Sequence, residues 1–434
     1  MKDDFKIPRG LYIKCRELLG IVISSKYPAD NEISCFFRKN KNSGKRDRKF
    51  IAETVYGILR NYKFLDFVIK KTGLTRGNFC DRMILAYMIK FENKTPEEIK
   101  NISGIFIEHD ISEKIIKFQI DDANDIEKIG LQYSVPDWFV KIINEEYDIG
   151  SAKLICQGLN SEAQLTIRTN TAFISRQNLQ NMLEKEGIKT EITRFSPVGL
   201  VVSKKTNLFE YESFKKGYYE VQDEGSQIIS YLTAAAPGEI IVDGCCGAGG
   251  KTLHISDLMK NKGILYAFDI SENRVKNLRK RVKKCRLDNI RIQVLSEENK
   301  FKISRLNGKV NKVLVDAPCS GSGVFRRNPD AKLKLKEEEV KIVFPDKQYN
   351  ILNKYAPLLK PNGFLIYSTC SVAHYENEKV VSKFLYNHND FELMNVSEIL
   401  LKYGINLNMN TVFLKLYPHI HSTDGFFSAV IRKK

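Results

Sequence analysis

The stretch Val313-Leu-Val-Asp-Ala-Pro-Cys-Ser-Gly-Ser-Gly323 changes character midway: an apolar run gives way at Asp316 to Pro318 and Cys319, then to a turn rich in glycine and serine. Val and Leu in succession, without polar alternation, suit a strand covered on both faces, as at the centre of a parallel sheet. Open sheets of that kind bind ligands beyond the carboxyl ends of their strands. Asp316, Pro318 and Cys319 therefore stand at the chemical edge of the fold. The segment Gly363-Phe-Leu-Ile-Tyr-Ser-Thr-Cys-Ser371 repeats the arrangement, apolar and then ending in Cys370. Two thiols at two strand ends can face one pocket.

Around these two strands, the chain from Gly217 to Lys434 alternates strands and helices. Apolar runs predict strands at Ile240–Asp243, Ile264–Asp269, 290–295, 312–316 and 364–369, separated by helices near 272–285, 346–359 and 375–387. Repeated β-α units imply an α/β fold with a doubly wound, Rossmann-like parallel sheet. Gly425-Phe-Phe-Ser-Ala-Val-Ile-Arg432 is expected to close it as an edge strand. Residues 134–216 read as a small α+β segment, with strands at Leu165–Thr169, 189–195 and 199–203 and a helix near 176–187. It opens at Ser134-Val-Pro-Asp-Trp138, a proline turn holding the single tryptophan, expected as a buried anchor. Residues 1–133 are expected to be all-helical: Leu11, Cys15, Leu18, Leu19 and Val22 share one helical face, and Phe50, Val55, Ile58 and Leu59 another. Between these helices Arg38–Lys49 reads as a basic loop feeding a helix that carries Arg60 and Lys63.

The chain has 434 residues, with 69 Lys and Arg against 52 Asp and Glu, a net charge of +17. Such an excess points to a polyanionic partner, with nucleic acid as the first candidate and an ordinary lysine-rich soluble surface as the plain alternative. Nine cysteines without a C-x-x-C pair argue against a disulfide framework or a structural zinc site. No metal is expected. The first residues lack an apolar signal core, and no run approaches the ~18 apolar residues of a membrane span. A cytoplasmic, monomeric protein is the expectation.

The second chemical stretch is Asp243-Gly-Cys-Cys-Gly-Ala-Gly-Gly-Lys-Thr252. Its glycines, between a strand and a helix, allow backbone N–H groups to approach a nucleotide-like cofactor. A phosphate-binding ATPase loop matches at Gly250-Lys251-Thr252 but needs glycine where Cys245 stands. An adenosine-type cofactor needs an acid at the end of the next strand to accept ribose hydroxyls about 20 residues on. Asp269 occupies that place.

Together, the glycine loop, Asp269, the Asp-Ala-Pro-Cys-Ser-Gly loop and the Ser-Thr-Cys-Ser strand end resemble the Sun family of S-adenosylmethionine-dependent RNA cytosine-carbon-5 methyltransferases. The likeness is strongest to bacterial ribosomal RNA enzymes of the RsmB type, because residues 1–133 resemble a NusB-like RNA-binding domain. Val221-Gln-Asp-Glu-Gly-Ser-Gln227, Arg326-Arg-Asn-Pro-Asp330, Glu376-Asn-Glu378 and Asp424-Gly-Phe-Phe427 are similar to family signatures too. The resemblance implies S-adenosylmethionine as cofactor, held by Cys245, Cys246, Gly247, Ala248, Gly249, Gly250 and Lys251, with Asp269, Arg274, Glu297 and Asp316. It implies small-subunit ribosomal RNA as partner, with transfer RNA and a non-catalytic assembly role as alternatives. It makes Cys370 the nucleophile, Cys319 the thiol that assists release, and Asp316 a neighbour of the cytosine. Family members usually read Cys-Ala-Ala-Pro-Gly-Gly-Lys where this chain has Cys245-Cys-Gly-Ala-Gly-Gly-Lys251; the missing proline at 248 is expected to loosen the turn.

Overall fold

Leu11, Cys15, Leu18, Leu19 and Val22 are all buried on the helix Arg9–Ser24, and Val55, Ile58 and Leu59 on Lys45–Arg60, as their spacing requires. The computed structural model describes residues 7–121, 123–204, 206–296, 301–408 and 410–434. Its contacts divide the chain into two units, Met1–Glu162 with Phe325–Glu337, and Ala163–Val324 with Glu338–Lys434.

The first unit is helical throughout its described residues, and its helices start where local chemistry predicts. Thr95 accepts from the N–H of Glu98 while Glu98 returns the bond to Thr95 N–H, with Pro96 in the first turn; Asn78 with Asp81 repeats the device. Such reciprocal caps satisfy orphan N–H groups at a helix start. Helices continue through Ile149–Asn160, so this unit runs past the 1–133 segment drawn from sequence.

The basic run is not the loop it was expected to be. Ala29–Lys39 and Lys45–Arg60 are helices, which leaves residues 40–44 as the connection, because Asp47 accepts from the Gly44 N–H and starts the second helix there. Arg60 and Lys63 are structural rather than outward-facing. Arg60 donates to the carbonyls of Asn160, Ser161 and Arg326, and Lys63 to Asp137 and the Val135 carbonyl. The buried anchor near residue 138 is Phe139, whose ring lies 5.3 Å from that of Phe325. Trp138 is half-buried beside it.

The excursion 325–337 belongs with these helices. Within it Lys332 is buried, its ammonium donating to the Arg60 carbonyl (2.8 Å), the Tyr133 carbonyl (3.3 Å) and Asn160 Oδ1 (2.8 Å). These acceptors mark the C-terminal ends of three helices, where the backbone presents unpaired carbonyls and partial negative charge. Asp330 likewise accepts from the Ala29 N–H at a helix start.

The second unit carries two sheets. The smaller is antiparallel in the order β2 (Thr190–Ile192), β3 (Gly199–Val202), β1 (Leu165–Thr169), β4 (Tyr219–Val221). The larger holds β5 (Ile240–Asp243), β6 (Ile264–Asp269), β7 (Ile290–Val294), β8 (Val310–Asp316), β9 (Leu359–Thr369), β10 (Phe391–Leu393), β11 (Phe413–Leu416) and β12 (Phe426–Lys433). Its order is β10-β12-β9-β8-β5-β6-β7, with β11 also paired to β12. From β7 to β9 all neighbours are parallel, giving the Rossmann-like doubly wound sheet. Strand order reverses at β5, where such sheets open a ligand crevice.

One expectation about this sheet is overturned. β12 is not an edge: it pairs antiparallel with β9 on one side and with β10 and β11 on the other. Phe426 through Ile431 are all buried. A strand with no polar alternation needs cover on both faces and partners on both sides, and the short strands β10 and β11 supply the second set.

Candidate active site

Two loops meet at the carboxyl ends of β8, β5 and β9. The first follows β5. Its backbone is pinned at several points: Cys246 N–H to the Phe268 carbonyl (2.9 Å), Gly247 N–H to Asp269 Oδ2 (2.8 Å) and Gly249 N–H to the Cys246 carbonyl (2.8 Å). Arg281 also donates to the Ala248 carbonyl. These bonds pin the turn in the absence of a proline at 248. Gly249 has φ +88°, a backbone conformation that side-chain-bearing residues rarely adopt, and a Cβ there would lie 2.1 Å from Leu278 Cδ1, so that leucine would have to give way. Gly250 then opens the helix Gly250–Leu258, leaving its first N–H groups for an acceptor.

Asp269 ends β6, its two oxygens accepting from the Gly247 and Ser271 N–H groups. It braces the glycine loop and keeps further lone pairs for ribose hydroxyls. Asp243 ends β5 below that loop. Its Oδ2 accepts from Thr252 Oγ1 (2.7 Å), whereas Oδ1 is buried without a hydrogen-bond partner among the described residues. Burial raises its pKa to about 7. A pinned glycine turn, a braced acid on the adjacent strand and a helix start fit a nucleoside cofactor. Cys246 packs in the apolar cluster with Leu278 and Leu253, and Cys245 is half-buried with its thiol pKa pushed up by burial. Arg274 is exposed on the following helix; Glu297 lies outside the described residues.

The second site element joins β8 and β9. Asp316 pairs with Ser368, and Ala317 N–H bonds the Ser368 carbonyl (2.8 Å), so the two strands leave the sheet together. Cys319 and Cys370 thereby meet, with sulfurs 3.3 Å apart. A hydrogen bond to Cys370, then burial, raises the Cys319 pKa well above a thiol's ordinary value. Lys251, from the glycine loop, reaches across to Asp316 Oδ2 at 2.7 Å. Burial lowers the Lys251 pKa, but the charges of Asp316 and, more weakly, Cys370 outweigh it and hold the group as an ammonium.

Two features of this site are not evident from its motifs alone. Gly323 and Gly425 are in backbone contact, Gly425 N–H donating to the Gly323 carbonyl and Gly323 N–H to the Cys370 carbonyl (2.8 and 2.9 Å). A Cβ on Gly323 would lie 2.1 Å from the Gly425 carbonyl oxygen. The Asp424-Gly-Phe-Phe427 signature is thus the strand start that lets the cysteine loop pass. The other is Glu376, fully buried beneath both cysteine loops. His254 is a buried packing residue, 4.9 Å from the Tyr231 ring. Among the described residues no cluster of three or more metal-ligating side chains occurs, and no helix is long and apolar enough to cross a membrane.

Comparison with known proteins agrees with this geometry. Residues 230–432 match the family model described as 16S rRNA methyltransferase RsmB/F, and residues 135–208 match the ferredoxin-like domain of RsmF/B-like methyltransferases. The chain is 29% identical over 418 residues to the probable ribosomal RNA small subunit methyltransferase B of Bacillus subtilis (strain 168), covering 91% of this chain and 93% of that protein. It is 26% identical over 408 residues to ribosomal RNA small subunit methyltransferase B of Vibrio cholerae, covering 90% of each. Among solved structures, a methyltransferase homolog from Pyrococcus horikoshii superposes with a TM-score of 0.61 at 27% identity, over 72% of this chain and 100% of that one. Two models, near-full-length relatives and a shared fold lead to one conclusion: the chain belongs to the RsmB/F methyltransferase family.

Proposed function

We propose that this protein transfers a methyl group from S-adenosylmethionine to carbon 5 of a cytosine in small-subunit ribosomal RNA, with Cys370 as attacking thiolate and Cys319 as resolving thiol. The observation that carries the reading is the 3.3 Å approach of these two sulfurs at adjacent strand ends, beside the Lys251–Asp316 pair. When bound against the glycine loop and Asp269, S-adenosylmethionine supplies an electrophilic methyl carbon.

The protein's own groups do the rest. Carbon 5 of cytosine is a weak nucleophile, so the Cys370 thiolate adds to carbon 6, forming a C–S bond and moving electron density to carbon 5. After methylation, loss of the carbon-5 proton to solvent lets the electron pair re-form the ring double bond and expel Cys370 as thiolate. This is covalent catalysis dividing one difficult step into easier ones. Cys319, its pKa raised, stays a thiol 3.3 Å from the Cys370 sulfur, where its S–H assists departure of Cys370 as thiolate. Asp316, tied to Lys251 at 2.7 Å, takes the role of neighbour to the cytosine edge.

The test is denaturing gel analysis with labelled small-subunit RNA and S-adenosylmethionine. Cys370→Ala should abolish both methylation and covalent adduct, whereas Cys319→Ala should accumulate enzyme bound to methylated RNA. An adduct trapped by Cys370→Ala and none by Cys319→Ala would reverse the two roles. Full activity in both variants would rule out the covalent route.

A further inference from the structure

Besides the hydroxyl contacts of Ser320 and Ser322 with Ser371 (3.3 and 3.1 Å), the two cysteine loops are linked by Glu376, which has no place in the chemistry above. It follows β9 by seven residues in a short helical turn, His374–Glu376, and is completely buried. Its Oε1 accepts from the Ser320 N–H (2.7 Å) and from Gln348 Nε2 (3.1 Å); its Oε2 accepts from Ser320 Oγ (2.5 Å) and Ser371 Oγ (2.6 Å). Ser320 is the residue after Cys319, and Ser371 the residue after Cys370. One carboxylate therefore grips the neighbour of each thiol. Gln348 extends the grip, since its Nε2 also donates to the Pro318 carbonyl (3.1 Å), the residue before Cys319.

We infer that Glu376 is a positioning residue: its buried carboxylate clamps the Cys319 loop to the Cys370 strand end and so sets the separation of the two sulfurs. Burying a carboxylate is costly and is tolerated where hydrogen-bond donors converge on it. Here four donor contacts come from three side chains and a backbone N–H, and none from a cationic side chain. Desolvation raises its pKa while the serine and glutamine donors pull it down, the first prevailing. A surface carboxylate could cap the turn without that penalty; the buried one reaches both loops. Its charge also contributes to the raised pKa of Cys319, after the larger effects of Cys370 and burial, which helps to distinguish the two thiols. The Glu376-Asn377 pair works as a unit. Asn377 Nδ2 donates to the Ser371 carbonyl (3.0 Å), and Asn377 Oδ1 accepts from Thr369 Oγ1 (2.6 Å), fixing the backbone on both sides of Cys370.

The catalytic meaning of the clamp rests on the proposed function, but the sulfur geometry can be tested without it. Phenylarsine oxide joins two nearby thiols, forming two As–S bonds and releasing its oxygen as water. In the intact protein it should bridge Cys319 and Cys370, read as one cross-linked peptide pair by mass spectrometry. Glu376→Gln replaces two acceptor oxygens with one acceptor and one donor aimed at other donors. It should slow that bridging by roughly tenfold or more, and kcat on RNA by roughly tenfold to a hundredfold, with KM for RNA little changed. Cys15 and Cys156, buried in the helical unit, should stay unreactive and S-adenosylhomocysteine should bind as before, separating lost positioning from lost fold. Ser371→Ala, which removes one leg of the clamp, should give a smaller effect in the same direction. Bridging at the parent rate in both variants, or slowed bridging with unchanged kcat, would overturn the assignment. If the parent protein methylates no RNA, the proposed function fails, and the bridging rates alone decide whether Glu376 holds the loops.

Discussion

Replacing Lys332 by methionine tests whether the excursion 325–337 is held by its buried ammonium. Three oxygens, the carbonyls of Arg60 and Tyr133 and the Asn160 side chain, would lose their donor at 2.8, 3.3 and 2.8 Å. Each buried acceptor left unpaired costs about 1–3 kcal/mol. Against that, methionine recovers the several kcal/mol that desolvating an ammonium costs, and relieves its repulsion with Arg60; burial and that repulsion are what press the Lys332 pKa down. Methionine keeps the length of the stem, so packing changes little. The net is a destabilisation of about 3 kcal/mol, at the low end for removing one partner of a buried charged cluster. Trp138 is the only tryptophan of the chain and sits in the same unit, beside Phe139 and its neighbour Phe325, so its fluorescence reports unfolding there. With a urea dependence of about 1–3 kcal/mol per molar, the midpoint should fall by about 1–3 M. A shift under about 0.3 M would mean that the ammonium's desolvation cancels its bonds, and that the strap is held by apolar packing such as Phe139 on Phe325.

Asp243 should make stability fall as pH rises. Its folded pKa, about 7, lies above the ordinary 3.8, so the folded state binds the proton more tightly; the stabilisation is complete below pH 3.8 and lost as pH climbs through 7, up to about 4 kcal/mol. Asp243→Asn should flatten thermal unfolding against pH across that window, and an unchanged slope would refute the assignment. Gly249→Ala should weaken S-adenosylhomocysteine binding by roughly tenfold or more in calorimetry, since left-handed backbone costs alanine about 1–2 kcal/mol and its Cβ collides with Leu278; parent-like affinity would show that the turn is not the binding element. Replacing Lys45, Arg46 and Arg48 by alanine should reduce the salt dependence of RNA binding by about 0.7–0.9 log unit for each phosphate that is no longer neutralised. Because Arg48 folds back onto the Ser43 carbonyl (2.8 Å), its own share of the reduction should be small, and an unaltered slope would leave all three to solvation.

Local pattern was enough wherever one segment's own chemistry decides its state. The apolar runs ending at Asp243, Asp269, Asp316 and Thr369 place four parallel strands, because a strand buried on both faces permits no polar alternation. The motifs at those ends put the glycine loop, Asp269 and both cysteines on one edge of the sheet before any strand pairing is known. What the pattern could not supply is pairing across distance. Cys319 and Cys370 are separated by 51 residues, and their 3.3 Å approach depends on the register of β8 against β9. Lys251 finds Asp316 across 65 residues, and a lysine in a glycine loop carries no local sign of which acid it will meet. Glu376, an acid in a polar stretch, looks like surface until four donors from three segments, at Ser320, Gln348 and Ser371, close over it. β12 read as an edge because the strands covering it are three and four residues long, too short for periodicity to reveal. Arg60, Lys63 and Lys332 belong to the same class: sequence counts them as positive charge, whereas the folded chain commits them to backbone carbonyls and, for Lys63 and Lys332, also to the side chains of Asp137 and Asn160. Composition registers charge without its partners, and only tertiary structure decides which cations remain free to face a polyanion.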